Sequence, residues 1–287
     1  MNAQVKELPV AEIITNISEL YVDRIATIKA QRSLNSQANA FVARHLGFTT
    51  TGNDSMTEAE NKKAREKMWG KAAAIARSIE KGNPAPKGLK EVRDQVQGFV
   101  TTILASRRAL DENRKNIELA LGKLAKQLPV WEWMEKTKGI GIGGLWVIIG
   151  EAGDLSNYAN PAKLWKRMGL AVSASDSKLS QGRVPSTLKG DARSSAYIDE
   201  GYSPRRRSAM WTLGDSFIKC KDSKYRGLYT WRKEYELGRE DENKPKSQMH
   251  AHRRAQRYAE KRMLLDLWEE WNELHGTTPE STPYLVE

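Results

Sequence analysis

The segment Lys136-Thr137-Lys138-Gly139-Ile140-Gly141-Ile142-Gly143-Gly144 holds residue types that can grip a phosphate. Glycines take positive φ and leave no Cβ in the way of an anion. Lys136 and Lys138 add charge beside them. Gly139, Gly141 and Gly144 also match G-x-G-x-x-G, the dinucleotide fingerprint. That fingerprint needs a preceding buried strand and a βαβ unit. Here the preceding residues, Trp131 to Lys136, read as a short helix, and no acidic residue follows on a second strand. The spacing therefore favours a helix-hairpin-helix, with a second helix from Gly143 to Ala152. The turn N–H groups and that helix's N-terminus would face a phosphate. Such a hairpin holds a duplex backbone without reading its sequence. The same turn would also serve simply to pack two helices.

Two further basic groups stand out. Arg205, Arg206 and Arg207 follow Ser203-Pro204, which reads as an N-cap with proline at the first helical position. On the last helix, His252, Arg253, Arg254, Arg257, Lys261 and Arg262 oppose an apolar stripe of Ala251, Ala255, Ala259, Met263, Leu267 and Trp271. That pattern gives one packing face and one basic face, for phosphate or for water. His250 and His252 are two apart, so on a helix they do not share a face. No cysteine or acidic cluster completes a metal site, and no structural zinc is expected.

The wider composition agrees with a polyanionic partner. The chain has 287 residues, a formal charge of +11 and a pI of about 9.6. Such a balance draws DNA, RNA or an acidic surface. Cys220 is the one cysteine, so no internal disulfide is available and a reducing compartment is expected. No run approaches the roughly 20 apolar residues of a membrane span, and no signal-peptide pattern opens the chain. The expectation is a cytoplasmic, nucleoid-associated protein of bacterial or phage origin, with no membrane partner.

Elements that would position these groups follow from periodicity. The class is mostly α, since strand signals are almost absent. Residues 10–47 repeat Ile13, Ile14, Ile17, Leu20, Tyr21, Ile25 and Ile28 at helical spacing. Ser55 with Glu58 reads as a capping box for a second helix to Lys81. Residues 82–88 form a break. A third helix spans 89–128, with Val92, Val96, Phe99, Val100, Leu104, Ile117 and Leu121 on one side. Residues 1–128 thus read as a long-helix arm, either a hairpin or a coiled coil that makes a homo-oligomer. Residues 129–275 read as a compact helix-hairpin-helix domain, and 276–287 as a loose tail. Asn160-Pro161 starts a short helix, 171–201 is a long polar loop, and helices resume at 204–220, 224–238 and 248–274. Eight tryptophans between Trp131 and Trp271 should mostly anchor the core.

Residues 139–155, GIGIGGLWVIIGEAGDL, resemble the start of the C-terminal domain of the insertion-sequence one-ten transposases, or bridge-RNA recombinases. Tyr158, Asn160-Pro161 and Leu164 to Leu170 look like the elements that follow there. Ser203 to Arg207 with Met210-Trp211, Tyr225 to Tyr235, and His252 to Leu264 are similar to its later helices. The order and rough spacing agree over about residues 130–274. The resemblance implies DNA transposition or recombination through a serine nucleophile. Ser180, in Ser180-Gln181-Gly182-Arg183, is the best match to the family's serine loop, and Ser177 is the alternate. Arg183 and Arg205 to Arg207 would clamp the phosphate. The family also carries a RuvC-like domain whose acidic residues bear Mg²⁺. The N-terminal half here has no βαβ pattern and looks like the family's helical arm. Mg²⁺ would then come only with a separately encoded catalytic subunit, and this chain binds no evident cofactor itself. DNA is the expected partner, with a guide or structured RNA as a further one. A non-catalytic nucleic-acid-binding or assembly protein that keeps this domain remains the alternative.

Overall fold

The computed structural model describes residues 8–49, 57–173, 181–182, 184–185, 187–241 and 244–276. Among them are ten α-helices, one 3-10 turn and no strand. The chain divides into two compact units, Val22–Leu119 and Met1–Tyr21 with Ala120–Glu287. Among the described residues no helix is long and apolar enough to cross a membrane.

The first unit takes most of α1 (Val10–His45), all of α2 (Glu58–Glu80) and most of α3 (Lys90–Ala125). α1 stops at Gly47, whose φ of 85° lets the Phe48 N–H turn back to Ala43 O at 2.9 Å. α2 starts in a capping box, but one residue pair later than expected. Thr57 Oγ1 accepts from the Glu60 N–H, and Glu60 Oε2 accepts from the Thr57 N–H. Ser55 lies outside the described residues. All three helices share one core: Val42 and Ala43 from α1, Ala72 and Ile75 from α2, Val96 and Val100 from α3. Around it Arg107 bonds Glu80, Asp111 and Asn35, and Arg24 bonds Glu118 at 2.7 Å.

One boundary between the units falls at 119/120. The N-terminal end of α1 also goes with the second unit, because Ile13, Ile17 and Tyr21 are buried there. Gly150 makes room for this: a Cβ would stand 2.5 Å from Tyr21 Cγ.

The second unit continues with α4 (Trp131–Lys136), α5 (Gly141–Ala152), a 3-10 turn (Leu155–Asn157), α6 (Pro161–Arg167), α7 (Gly190–Asp199), α8 (Pro204–Lys219), α9 (Lys224–Gly238) and α10 (Gln248–Leu274). Asn160 and Ser203 cap α6 and α8 as their Asn-Pro and Ser-Pro pairs predict. α7 replaces part of the expected loop 171–201. It buries no residue, so no apolar stripe marks it in the sequence. Gly201, at φ 63°, ends it, with the Tyr202 N–H returning to Tyr197 O.

α10 is the axis of this unit. Ala251, Ala255, Ala259, Met263, Leu264, Leu267, Trp268 and Trp271 are buried along it. The alanines let α8 and α9 approach closely, and the larger residues fill the far end. Each fully buried large side chain stabilises the fold by about 1.5–3 kcal/mol. Buried indoles also need acceptors. Trp268 Nε1 donates to Tyr158 O at 2.9 Å, Trp271 Nε1 to Asp154 Oδ1 at 3.0 Å, and Trp165 Nε1 to Lys261 O at 3.0 Å.

Candidate nucleic-acid interface

α4 and α5 form the expected hairpin, but its glycines do different jobs. Gly139 has φ 96° and lies against α8, where a Cβ would stand 2.8 Å from Phe217 Cα. A Cβ on Gly144 would stand 2.4 Å from Ile140 Cγ2 and 3.1 Å from Leu213 Cδ2. These two glycines pack the hairpin onto α8. Gly141, at φ 65°, has open space where a Cβ would go, and a Cβ on Gly143 would meet only Trp146, at 3.9 Å. Lys136, Lys138 and Gly141 are exposed.

The basic triplet lies at the opposite end of α5. α5 and α8 run antiparallel: Gly139 meets Phe217, Gly144 meets Leu213, and Glu151 meets Arg205 and Arg206. Twelve residues at 1.5 Å each put about 18 Å between the glycine turn and the triplet. The structure therefore does not bring these two predicted groups together.

It brings the triplet to α6 and α10 instead. Glu151 is only 2% exposed. Its Oε2 lies 2.9 Å from Arg205 Nη2 and 3.5 Å from Arg206 Nε, and its Oε1 accepts from Tyr21 Oη at 2.8 Å. Arg167 Nε donates to the Glu151 carbonyl. The next residue of α8, Arg207, bonds Glu260 Oε2 through Nη1 at 2.8 Å, and Glu260 is 0% exposed. Glu260 and Gln256 fit there because Gly214 has no Cβ, which would stand 2.5 Å from Glu260 Oε1. Arg257 lies between Arg207, Glu260 and Tyr202, and its Nε has no hydrogen-bond partner. Lys261, the next turn of α10, holds its ammonium 5.1 Å from the centre of the Trp165 ring.

This cluster is out of charge balance. Arg167, Arg205, Arg206, Arg207, Arg257 and Lys261 stand within electrostatic reach of their neighbours, and the buried carboxylates facing them are Glu151 and Glu260. Burial, with Arg167 and Arg205 alongside, holds Arg206 below the usual guanidinium value. Burial and the nearby Arg207 do the same to Arg257. Burial and Arg257 bring Lys261 down to about 8. Burial pushes Glu260 up to about 7, against the pull of Arg207 and Arg257. Like charges gathered away from water cost folding energy unless an anion joins them.

The remaining basic residues of α10 are elsewhere. His252 Nδ1 meets Tyr229 Oη at 2.8 Å, Arg254 pairs with Glu236 at 3.0 Å, and Arg253 is exposed. Ser177, Ser180 and Arg183 lie outside the described residues. Their described neighbours are well fixed. The Gln181 N–H donates to Ala171 O at 2.9 Å, Gln181 Nε2 to Glu200 O at 2.9 Å, and Ser173 Oγ to Glu200 Oε1 at 2.8 Å. The Tyr202 ring covers Gly169 and Gly182, where a Cβ would stand 3.2 and 2.4 Å from ring carbons. Tyr202 is in turn beside Arg207 and Arg257. Gly169 and Gly182 thus lie under a ring that adjoins two arginines of the cluster.

Sequence reasoning selects Arg205 to Arg207, Arg257 and Lys261, but not Arg167, Tyr202, Glu151 or Glu260. Two of these have a readable signal. Glu151 ends an otherwise apolar helix, and Glu260 directly follows the stripe residue Ala259. Among the described residues no group of three or more His, Cys, Asp or Glu side chains is placed to hold a metal ion. No protein-family model, curated protein or solved structure matches this chain.

Lys261 makes the cluster pH-sensitive. Its folded value, about 8, is depressed from 10.5, so the charged form is the disfavoured one. Stability from this group is present above pH 10.5 and lost as pH falls through 8. A bound anion reverses the preference and draws a proton onto the amine. Affinity for any polyanion seated there should therefore rise as pH falls from 10.5 to about 8, and Lys261→Met should lack that part of the rise. Fluorescence anisotropy titrations of both proteins across this range measure it. Parallel curves would reject the assignment.

Proposed function

We propose that this chain binds DNA through its sugar–phosphate backbone and acts in DNA transposition or recombination. One observation carries the binding: the desolvated cations Arg206, Arg207, Arg257 and Lys261 converge where α6, α8 and α10 meet, with too few carboxylates to balance them. A phosphodiester supplies the missing charge, and planar guanidinium groups suit its oxygens. The exposed Lys136, Lys138 and Gly141 turn provides a second backbone contact about 18 Å along α5.

The process rests on the resemblance to the insertion-sequence one-ten transposases. In that reading the Ser180 hydroxyl, or Ser177 as the alternate, attacks a phosphorus held by the arginines. A serine–phosphate ester forms as the bond from phosphorus to one DNA oxygen breaks, and that oxygen leaves as a hydroxyl end, taking up by way of solvent the proton that the serine gave. Arg183 would join the clamp. A RuvC-like partner subunit would bring Mg²⁺, and a structured RNA would choose the target.

The first test is binding to labelled duplex DNA, a branched junction and a structured RNA across a salt series. Steep loss of affinity with salt is the expected result. Gly141→Glu should weaken duplex binding at least about tenfold, since it puts a side chain and a negative charge in the turn. Gly141→Asn tolerates the positive φ and should bind as wild type. Wild-type binding by both variants would remove the turn from the interface. Failure of folded wild-type protein to bind any of the three would remove the whole reading. Covalent attachment of DNA, abolished by Ser180→Ala or Ser177→Ala, tests the chemistry.

A further inference from the structure

α9 carries a second surface that the duplex reading does not use. Trp231 and Tyr235 are one turn apart, 47% and 48% exposed, although the sequence pattern makes tryptophans core anchors. Their rings lie 6.1 Å apart and within 21° of parallel. Tyr258 of α10 extends the patch, its ring 5.8 Å from that of Trp231. Arg232 lies across it, with its guanidinium carbon 4.7 Å from the Tyr235 centroid and 5.1 Å from that of Tyr258. The guanidinium is locked there by Glu236, which takes Nε at 3.0 Å and Nη2 at 2.7 Å. Arg254 bonds the other oxygen of Glu236. One carboxylate, almost fully buried, thus holds two arginines, and the surface stays positive.

We infer that this face of α9 is a stacking platform for unpaired nucleotides. Flat aromatic faces bind base faces, and only single strands present those, since duplex bases cover one another. An arginine fixed over the rings extends the plane and adds charge. Rings and guanidinium are already ordered, so little freedom is lost on binding. Tyrosine, tryptophan and arginine also mark protein interfaces. The net positive charge of the face favours nucleic acid. The inference goes beyond the duplex reading, because its residues and the form of its ligand are different.

The test uses the full chain and two labelled probes, an oligothymidylate longer than the roughly 4–16 nucleotides such sites cover and a duplex of equal length. Trp231→Ala/Tyr235→Ala should weaken binding of the single strand about fivefold or more, with duplex binding within about twofold of wild type. Trp231→Phe/Tyr235→Phe keeps both rings and should bind the single strand nearly as wild type. Because both positions are exposed, melting temperatures should match. Four results overturn the inference: no single-strand binding by wild type, no loss in the alanine variant, equal loss in the phenylalanine variant, or equal loss on duplex. Wild type that dimerises through this face, with the alanine variant monomeric and neither holding the single strand, would make it a protein interface instead. Loss of duplex binding in cluster variants leaves this outcome unaffected.

Discussion

Arg206→Gln/Arg257→Gln should bind duplex DNA about a hundredfold more weakly than wild type while melting at the same or a higher temperature. The pair is chosen for what it leaves in place. Arg205 still bonds Glu151 at 2.9 Å, and Arg207 still bonds Glu260 at 2.8 Å. Arg257 Nε has no partner to lose, and Arg206 Nε is 3.5 Å from Glu151. Removing either cation therefore orphans no carboxylate and relieves crowding of like charge. On the binding side, each charge-assisted hydrogen bond to phosphate contributes about 1.5–3 kcal/mol, so removing two of them weakens affinity about a hundredfold or more. The slope of log affinity against log salt should also become shallower by about 0.9 for each phosphate that is no longer neutralised. Opposite signs for stability and binding are what a functional cluster produces. Anisotropy titrations and thermal melts decide it. Unchanged affinity would refute the phosphate assignment, and a parallel fall in melting temperature would make these arginines structural.

The helical class, the caps and the core stripes are legible in the sequence because they are local. Asn160 and Ser203 sit directly before Pro161 and Pro204, and Ile13, Ile17 and Tyr21 repeat within two turns. The start of α2 is displaced by two residues because two overlapping Ser/Thr-x-x-Glu patterns, from Ser55 and from Thr57, compete for it. α7 is hidden because a helix with no buried residue leaves no apolar period. The site is only half legible. Arginines on α8 and α10 announce themselves by clustering, but the pairs that organise them, Arg205–Glu151 and Arg207–Glu260, span 54 and 53 residues. No spacing rule reaches that far. The glycine turn shows the same limit from the other side. Its sequence fits both a phosphate cradle and a packing turn, and only contact with α8 separates Gly139 and Gly144 from Gly141.

That separation gives the second large effect. Gly139→Ala should destabilise the protein by about 3 kcal/mol, whereas Gly141→Ala should cost about 1 kcal/mol. Both replacements force a side chain into positive φ, at roughly 1–2 kcal/mol. At Gly141 the cost ends there, since nothing lies within 4 Å of the new Cβ. At Gly139 the Cβ would also stand 2.8 Å from Phe217 Cα and 2.9 Å from Phe217 Cβ. Those atoms belong to α8, and Phe217 is itself fully buried, so α8 must move as a body. Overpacking of this kind adds typically about 1–3 kcal/mol. For a chain of this size the difference is a fall of roughly 6–12 °C in melting temperature against about 2–4 °C. α8 also carries Arg205 to Arg207 at its other end, so its displacement should weaken duplex binding by Gly139→Ala even below the melting transition. If Gly139→Ala keeps the wild-type melting temperature and still fails to hold DNA, then Gly139 touches phosphate rather than α8. The hairpin would then be a cradle throughout, and the division of labour among its glycines would fall.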